Sequence, residues 1–206
     1  MNQQEFWNIK FSKIDYFYGT KANEFLSSKI DLFTNHKSLL CLGEGEGRNA
    51  ILFAKNGFEV SAIDASDVGL AKLELRSKNE NLNIKTVCMD LNHWIVDKKY
   101  DVIVASYLHM VKGEREELFR KIEDSLNPNG YFIAEFFSTK QLTYNSGGPK
   151  DLDLLYSIED FKNHFESCEK HVYEESVTLD EGIGHQGEAC VIRVVIQKKQ
   201  TSINKF

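Results

Sequence analysis

The residues best suited to chemistry are concentrated in one short stretch, Leu42-Gly43-Glu44-Gly45-Glu46-Gly47-Arg48. Glycines at alternate positions permit positive φ values and let a ligand approach the main chain closely. Between a strand and a helix, such a turn is a site for a nucleotide or nucleoside, although glycines also build ordinary tight turns. Asp64 follows Gly43 by 21 positions, at the end of the next apolar run. There a carboxylate can accept hydrogen bonds from both hydroxyls of a ribose, or simply cap the following helix. Asp90, in Cys88-Met89-Asp90-Leu91, follows a third such run. It is placed to reach the exocyclic amine of an adenine while an adjacent backbone amide meets the ring.

The neighbours of the glycines narrow the ligand. A dinucleotide fingerprint needs Gly or Ala five positions after the first glycine, and that position holds Arg48. Glu44 and Glu46 put two carboxylates where a pyrophosphate would lie, and like charges repel. A nicotinamide-linked oxidoreductase therefore fits poorly. S-adenosylmethionine has no phosphate and carries a sulfonium and an α-ammonium, so acidic residues beside the turn are tolerable or useful. The cofactor-binding set expected on this reading is Gly43, Glu44, Gly45, Gly47, Arg48 and Asn49 at the turn, Asp64 and Ala65 after the second strand, Asp90 and Leu91 after the third, and Ser106 at the end of the fourth. Arg48 is expected to pair with Glu44 or Glu46 on proximity, or else to meet an anionic substrate.

Methyl transfer from a sulfonium is an in-line displacement, so the protein must align a nucleophile, exclude water and, for some acceptors, take a proton. A soft thiolate, selenide or telluride is already nucleophilic when ionised, whereas a hydroxyl or ammonium needs a base. His109, three residues past the fourth apolar run, is the candidate base or substrate contact; the competing role is a histidine satisfied by a loop carbonyl. Tyr107 beside it, Tyr18 and His185 are further candidate substrate contacts. His185 is expected in a hairpin loop, where histidines are commonly solvated. Tyr18 belongs to a densely aromatic stretch with Phe6, Trp7, Phe11, Tyr16 and Phe17, which suits either a lid or an ordinary packed helix.

The elements that must position these groups follow from periodicity. Ser38 to Leu42, Glu59 to Ile63, Ile84 to Val87, Tyr100 to Ser106 and Tyr131 to Phe137 are short apolar or β-branched runs and read as strands. Between them, Arg48 to Asn56 closes at Gly57 as a helix, and Ser66 can cap the next. Leu118, Phe119, Ile122 and Leu126 share one face of a helix that stops at Asn127-Pro128-Asn129-Gly130. Ser157-Ile158-Glu159-Asp160 resembles a capping box. Glu169 to Leu179 and Ala189 to Lys198, joined by a loop from Asp180 to Glu188, read as a terminal antiparallel hairpin. The fold class is therefore α/β, a largely parallel sheet with helices on both faces.

With 206 residues, 42% hydrophobic and 27% charged, the chain suits one domain with a continuous core. A net charge of −6 argues against nucleic acid as a partner and favours a small molecule. Cys41, Cys88, Cys168 and Cys190 are widely spaced, with no zinc-type grouping, and read as reduced, mostly buried thiols, with no metal expected. No signal-like or membrane-spanning run is present, so no membrane partner and a cytoplasmic location are expected. Nothing in the sequence speaks to oligomeric state.

Read in order, these residues resemble class I S-adenosylmethionine-dependent methyltransferases, and more narrowly a bacterial branch grouped with the tellurite-resistance and thiopurine-type enzymes. The segments that carry the resemblance are Tyr18-Gly19-Thr20-Lys21-Ala22-Asn23-Glu24-Phe25-Leu26, Glu44-Gly45-Glu46-Gly47-Arg48-Asn49, Gly147-Gly148-Pro149 and Glu181-Gly182-x-x-His185-x-Gly187. The resemblance implies a Rossmann-like seven-stranded sheet of order 3-2-1-4-5-7-6 with strand 7 antiparallel. Length makes 1–206 one domain, with 38–198 the core and the polar 199–206 expected to fray, and the resemblance implies that the helical segment 1–30 packs as a lid. It also implies Gly43, Gly45 and Gly47 around the methionine moiety, Asp64 on the ribose, and Asp90 with Leu91 on the adenine. Where many class I enzymes carry an acidic residue this chain has Cys41, and Glu44 is the candidate replacement. The expected reaction is methyl transfer to a small acceptor, such as a soft sulfur or chalcogen nucleophile, with S-adenosylhomocysteine as product. The alternative is a noncatalytic regulatory protein that binds the same donor.

Overall fold

β1 (Ser38–Leu42) is the centre from which the sheet is built. Successive side chains on a strand point to opposite faces, and here Leu39 and Cys41 enter one apolar layer while Leu40 and Leu42 enter the other. A strand covered on both faces reads as an unbroken apolar run, which is why it is so visible in the sequence. β2 (Glu59–Asp64) and β4 (Tyr100–Ser106) flank it in parallel, β3 (Ile84–Cys88) lies beyond β2, and β5 (Leu126–Phe137) lies beyond β4. β7 (His185–Lys198) runs antiparallel both to β5 and to the edge strand β6 (Cys168–Glu181). The order is β3-β2-β1-β4-β5-β7-β6, the mixed sheet implied by the resemblance. A computed structural model describes residues 2–200 of the chain.

Helices cover both faces. α1 (Gln3–Phe11) and α2 (Glu24–Ser27) precede the sheet, while α3 (Arg48–Lys55) and α4 (Asp67–Asn79) follow β1 and β2. Ala50, Ile51, Phe53, Leu70 and Leu73 of α3 and α4 pack with Leu39, Cys41, Val102 and Val104. α5 (Lys112–Ser125) places Leu118, Phe119 and Ile122 against Leu40, Leu42, Ile103 and Ala105. Ser66 caps α4 as expected, its Oγ accepting the Gly69 amide at 2.9 Å. The Ser157–Asp160 capping box also forms, opening a short 3-10 helix at Ile158–Phe161.

Two boundaries differ from the sequence expectation. α5 stops at Ser125, and Leu126 is the first residue of β5, pairing with Tyr100. The register then shifts before Val102 meets Tyr131, because Pro128 and the positive φ of Asn129 build an irregular step into the strand. The second difference is larger. The expected loop from Asp180 to Glu188 shrinks to Gly182-Ile183-Gly184, and both hairpin strands run to its edge, with Glu181 opposite His185. The polar residues there obscured strands that pair through the main chain. The hairpin tip is held by the start of the chain: the Gly184 amide donates to the Phe17 carbonyl at 3.1 Å, and Gly182 lies against Gly19 main chain to main chain.

β7 is paired to its last residue, Lys198, and the first residue of the tail expected to fray is still held, the Lys199 amide donating to the Ser167 carbonyl at 3.1 Å. Positions 201–206 lie outside the described residues. Three cysteines are buried and Cys88 is exposed, and none is in a disulfide. Among the described residues no helix is long and apolar enough to cross a membrane.

Gly47 joins turn to helix at φ 90°, and a Cβ there would lie 2.3 Å from Leu73 Cδ1 and 2.7 Å from Leu73 Cβ. Backbone strain and overpacking both act on Gly47→Ala, which is expected to lose roughly 2–5 kcal/mol. Urea unfolding checks this, and an unchanged midpoint would show that α3 and α4 move apart freely.

Candidate active site

The carboxyl ends of β1 to β4 open into a cleft with ≈ 830 Å3 of empty space, part of it open solvent, where open parallel sheets hold their ligands. The glycine turn forms part of its wall, with Gly43, Gly45 and Gly47 all at positive φ. Asp64 fixes that turn: Oδ2 accepts the Gly45 amide and Oδ1 the Ser66 amide, each at 2.7 Å. Capping and ligand binding are thus not exclusive for Asp64, since each oxygen keeps a further acceptor position. Burial pushes its pKa up to about 6, held back by those two amides. Ala65, Asp90 and Leu91 line the same side. The Asp90 carboxylate also accepts the Asn92 amide at 2.9 Å, which opens a 3-10 turn over Leu91–His93.

The acidic residues of the turn are less free than the sequence suggests. Glu44 Oε1 accepts the Asn49 and Ala50 amides at 2.9 and 2.8 Å, capping the start of α3. Burial raises its pKa to about 7, opposed by the Ala50 amide and by Arg48. Cys41 lies beside it as a neutral thiol, its pKa raised by burial and by the Glu44 carboxylate. Glu46 accepts Lys72 Nζ at 2.6 Å and the Phe17 amide at 2.7 Å.

Arg48 does not pair with either glutamate. Its Nη2 crosses to Glu181 Oε2 at 3.0 Å, because α3 points its first side chain toward the β6–β7 hairpin rather than back along the turn. Glu181 Oε2 also meets His185 Nδ1 at 3.2 Å, and Glu181 Oε1 accepts Asn23 Nδ2 at 3.1 Å. Asn23 Nδ2 donates as well to Glu135 Oε1 at 2.7 Å; the same oxygen accepts the Tyr107 hydroxyl at 2.6 Å, and Arg193 Nε donates to Oε2 at 2.7 Å. Asn49 joins the group, accepting the Asn23 amide on Oδ1 and donating from Nδ2 to Ser106 Oγ, both at 2.9 Å.

This network was largely hidden in the sequence. Glu181 and Asn23 were visible only as members of two segments that carry the family resemblance. Glu135 gave a signal of its own: a lone carboxylate inside the apolar strand Tyr131 to Phe137.

His185 is not in a solvated loop. It is the first residue of β7, 2% exposed, with its ring 4.4 Å from Tyr18, 4.5 Å from Tyr107 and 5.0 Å from Phe137. Burial lowers its pKa, against the pull of Glu181. Tyr107 sits in the left-handed region at φ 51°, a costly conformation held by its amide and hydroxyl bonds to Glu135. The His109 ring lies tilted against Trp7, centroids 5.1 Å apart, and burial, with help from Lys10 and His185, pushes its pKa down to about 3. Such an imidazole is a weak proton acceptor, which counts against His109 as a general base. Gln3, Trp7, Phe11 and Tyr18 complete the wall from the amino-terminal segment.

A family model described as "Tellurite resistance protein TehB" matches residues 10–196. The chain belongs to the TehB family. Within it, the "Probable S-adenosyl-L-methionine-dependent methyltransferase TehB" of Haemophilus influenzae (strain 10810) is 25% identical over 142 residues, covering 68% of this chain and 48% of that relative. The chain thus spans about half the length of the curated TehB it matches. The crystal structure of TehB from Haemophilus influenzae superposes with a TM-score of 0.70 at 18% identity, over 97% of this chain and 68% of that one. The N-methyltransferase NodS from Bradyrhizobium japonicum WM9, in complex with S-adenosyl-L-homocysteine, superposes with a TM-score of 0.74 at 11% identity, over 97% and 100%. At such identities the structural likeness is one of fold, the Rossmann-like fold of class I methyltransferases.

The raised carboxyl of Glu44 predicts a pH effect. Its folded pKa of about 7 exceeds its ordinary 4.5, so its contribution to stability is full below 4.5 and is lost as pH rises through 7. Glu44→Gln keeps the acceptor for α3 but cannot ionise. Its urea midpoint relative to wild type is expected to improve between pH 4.5 and pH 7. Parallel pH profiles for the two proteins would contradict the assignment.

Proposed function

We propose that this protein transfers a methyl group from S-adenosylmethionine to a small-molecule acceptor. The observation that carries the reading is the convergence of Asp64, Asp90 and the glycine turn on one pocket at the ends of β1, β2 and β3. Membership of the TehB family supports it. The site fits the donor chemically: Asp64 retains acceptor positions for ribose hydroxyls, Asp90 and Leu91 stand beyond it for the adenine, and the turn exposes main chain to the methionine moiety. When bound, S-adenosylmethionine supplies an electrophilic methyl on a sulfonium.

The chain's own contribution is alignment and exclusion of water. α1 is the core of the lid in residues 1–30, with Trp7 and Phe11 turned onto the pocket and Asn8 tied to Asp67 at 2.7 Å. The acceptor space lies past β4, bounded by Ser106, Tyr107, Tyr18 and His185. Burial pushes the His109 pKa down to about 3, so this imidazole is a weak proton acceptor at neutral pH. That favours an acceptor already nucleophilic when ionised, such as a soft sulfur or chalcogen anion.

Isothermal titration with S-adenosylmethionine and S-adenosylhomocysteine tests the reading. Asp64→Asn is expected to weaken both by about 10- to 100-fold, the loss of charge-assisted hydrogen bonds. Wild-type affinity is expected to rise with pH through about 6, as Asp64 ionises. Absence of binding by either ligand at millimolar concentration would sink the proposal.

A further inference from the structure

We propose that Tyr107 and Glu135 form a proton exit from the acceptor space, one that ionises a thiol or selenol as it is methylated. This rests on the methyl-transfer reading and adds what that reading leaves open, namely where an acceptor's proton goes. Tyr107 stands in the wall of the acceptor space, and its hydroxyl donates to Glu135 Oε1 at 2.6 Å. With its proton committed to that bond, the phenol oxygen keeps lone pairs that can accept an S–H or Se–H donor. Behind Glu135 lies a second, smaller cleft with ≈ 350 Å3 of empty space, part of it open solvent, bordered also by Lys21, Glu24, Asp180 and Arg193. Tyr107 lines the first cleft and Glu135 the second, so a single hydrogen bond joins the two. His185 and Glu181 cross in parallel at 3.2 Å, and a Tyr107 variant separates the two routes.

Both residues are costly where they stand. Tyr107 is held at φ 51°, and Glu135 is a 2% exposed carboxylate, the one charged residue of the inner run Tyr131 to Phe137. Strain at a pocket wall and a charge inside an apolar strand are what a proton path at this place requires. Burial, with Glu135 and Glu181, pushes the Tyr107 pKa well above its ordinary value against the pull of Arg48, and the His185 ring lies 4.5 Å away. Tyr107 therefore passes a proton through rather than standing as a tyrosinate. As the acceptor's sulfur or selenium bonds to the methyl carbon, the bond from that carbon to the donor sulfur breaks, and its electron pair stays on S-adenosylhomocysteine. The acceptor's proton moves to Tyr107 Oη while the hydroxyl proton moves to Glu135 Oε1. Glu135 then loses it to solvent in the second cleft and regains its full ion pair with Arg193.

The probes are phenylmethanethiol, which is not ionised at neutral pH, and 4-nitrothiophenol, which is. In wild type, kcat/KM for phenylmethanethiol is expected to stay flat with pH below the thiol's own ionisation, where a route without a base rises about tenfold per pH unit. Tyr107→Phe leaves Glu135 its bonds to Asn23 and Arg193. It is expected to lower kcat/KM for phenylmethanethiol about 100-fold more than for 4-nitrothiophenol and to restore the rise with pH. Without turnover, the S-adenosylhomocysteine complex is expected to bind phenylmethanethiol about 2- to 10-fold more tightly than benzyl methyl sulfide, which has no proton to donate. Tyr107→Phe is expected to lose that preference. The wild-type profile and preference decide the matter even where the variant does not fold. Equal losses for the two thiols, a flat profile that survives in Tyr107→Phe, a wild-type rate that follows the ionised thiol, or no preference for the thiol in wild type overturns the exit. So does methylation of neither thiol by protein that binds S-adenosylhomocysteine. Failure to bind S-adenosylhomocysteine at all is a different result and removes the donor reading itself.

Discussion

The site depends on a buried, charge-balanced hydrogen-bond network. Glu135 and Glu181 face Arg48 and Arg193, with Asn23 bridging the two carboxylates. Burying charges is tolerable only when they are paired and their remaining hydrogen-bonding capacity is used. That requirement brings together parts of the chain that share no strand pairing: the amino-terminal segment at Asn23, the start of α3 at Arg48 and Asn49, and the end of β6 at Glu181. Tyr107 and His185 line the pocket because this network holds them there.

The parallel half of the fold was legible because burial on both faces leaves a plain record: Leu39-Leu40-Cys41-Leu42 can hardly be anything but an inner strand. Asp64 was legible too, since its distance from Gly43 reflects one helix and one strand of standard length. The terminal hairpin was legible as well, but not the place where it turns: the extension of both strands to Glu181 and His185 rests on main-chain pairing among polar residues, which leaves little mark in side-chain type. Arg48 was misassigned for a related reason. Proximity in sequence favoured Glu44 and Glu46, but Glu44 is taken by the amides of α3 and Glu46 by Lys72, and the arginine finds its partner 133 positions away.

The acidic turn also carries a different meaning in three dimensions. In the sequence, Glu44 and Glu46 looked like two free charges repelling phosphate. In the fold, Glu46 is matched by Lys72, and Glu44 is a helix cap whose carboxyl titrates near neutrality. What stands more firmly against a dinucleotide is Arg48 itself, a bulky buried side chain at the position where the dinucleotide fingerprint needs a small one.

Where Gly19 meets Gly182, main chain touches main chain: a Cβ on Gly182 would come within 2.3 Å of the Gly19 nitrogen. A contact of that kind has no side-chain slack to absorb movement. The first wall of the pocket is therefore fastened to the last hairpin of the sheet as if by a rivet, and Tyr18 inherits the sheet's rigidity although it lies ahead of every strand. Drift in surface residues would leave this fastening intact, whereas one added methyl at Gly182 would prise the two ends of the chain apart.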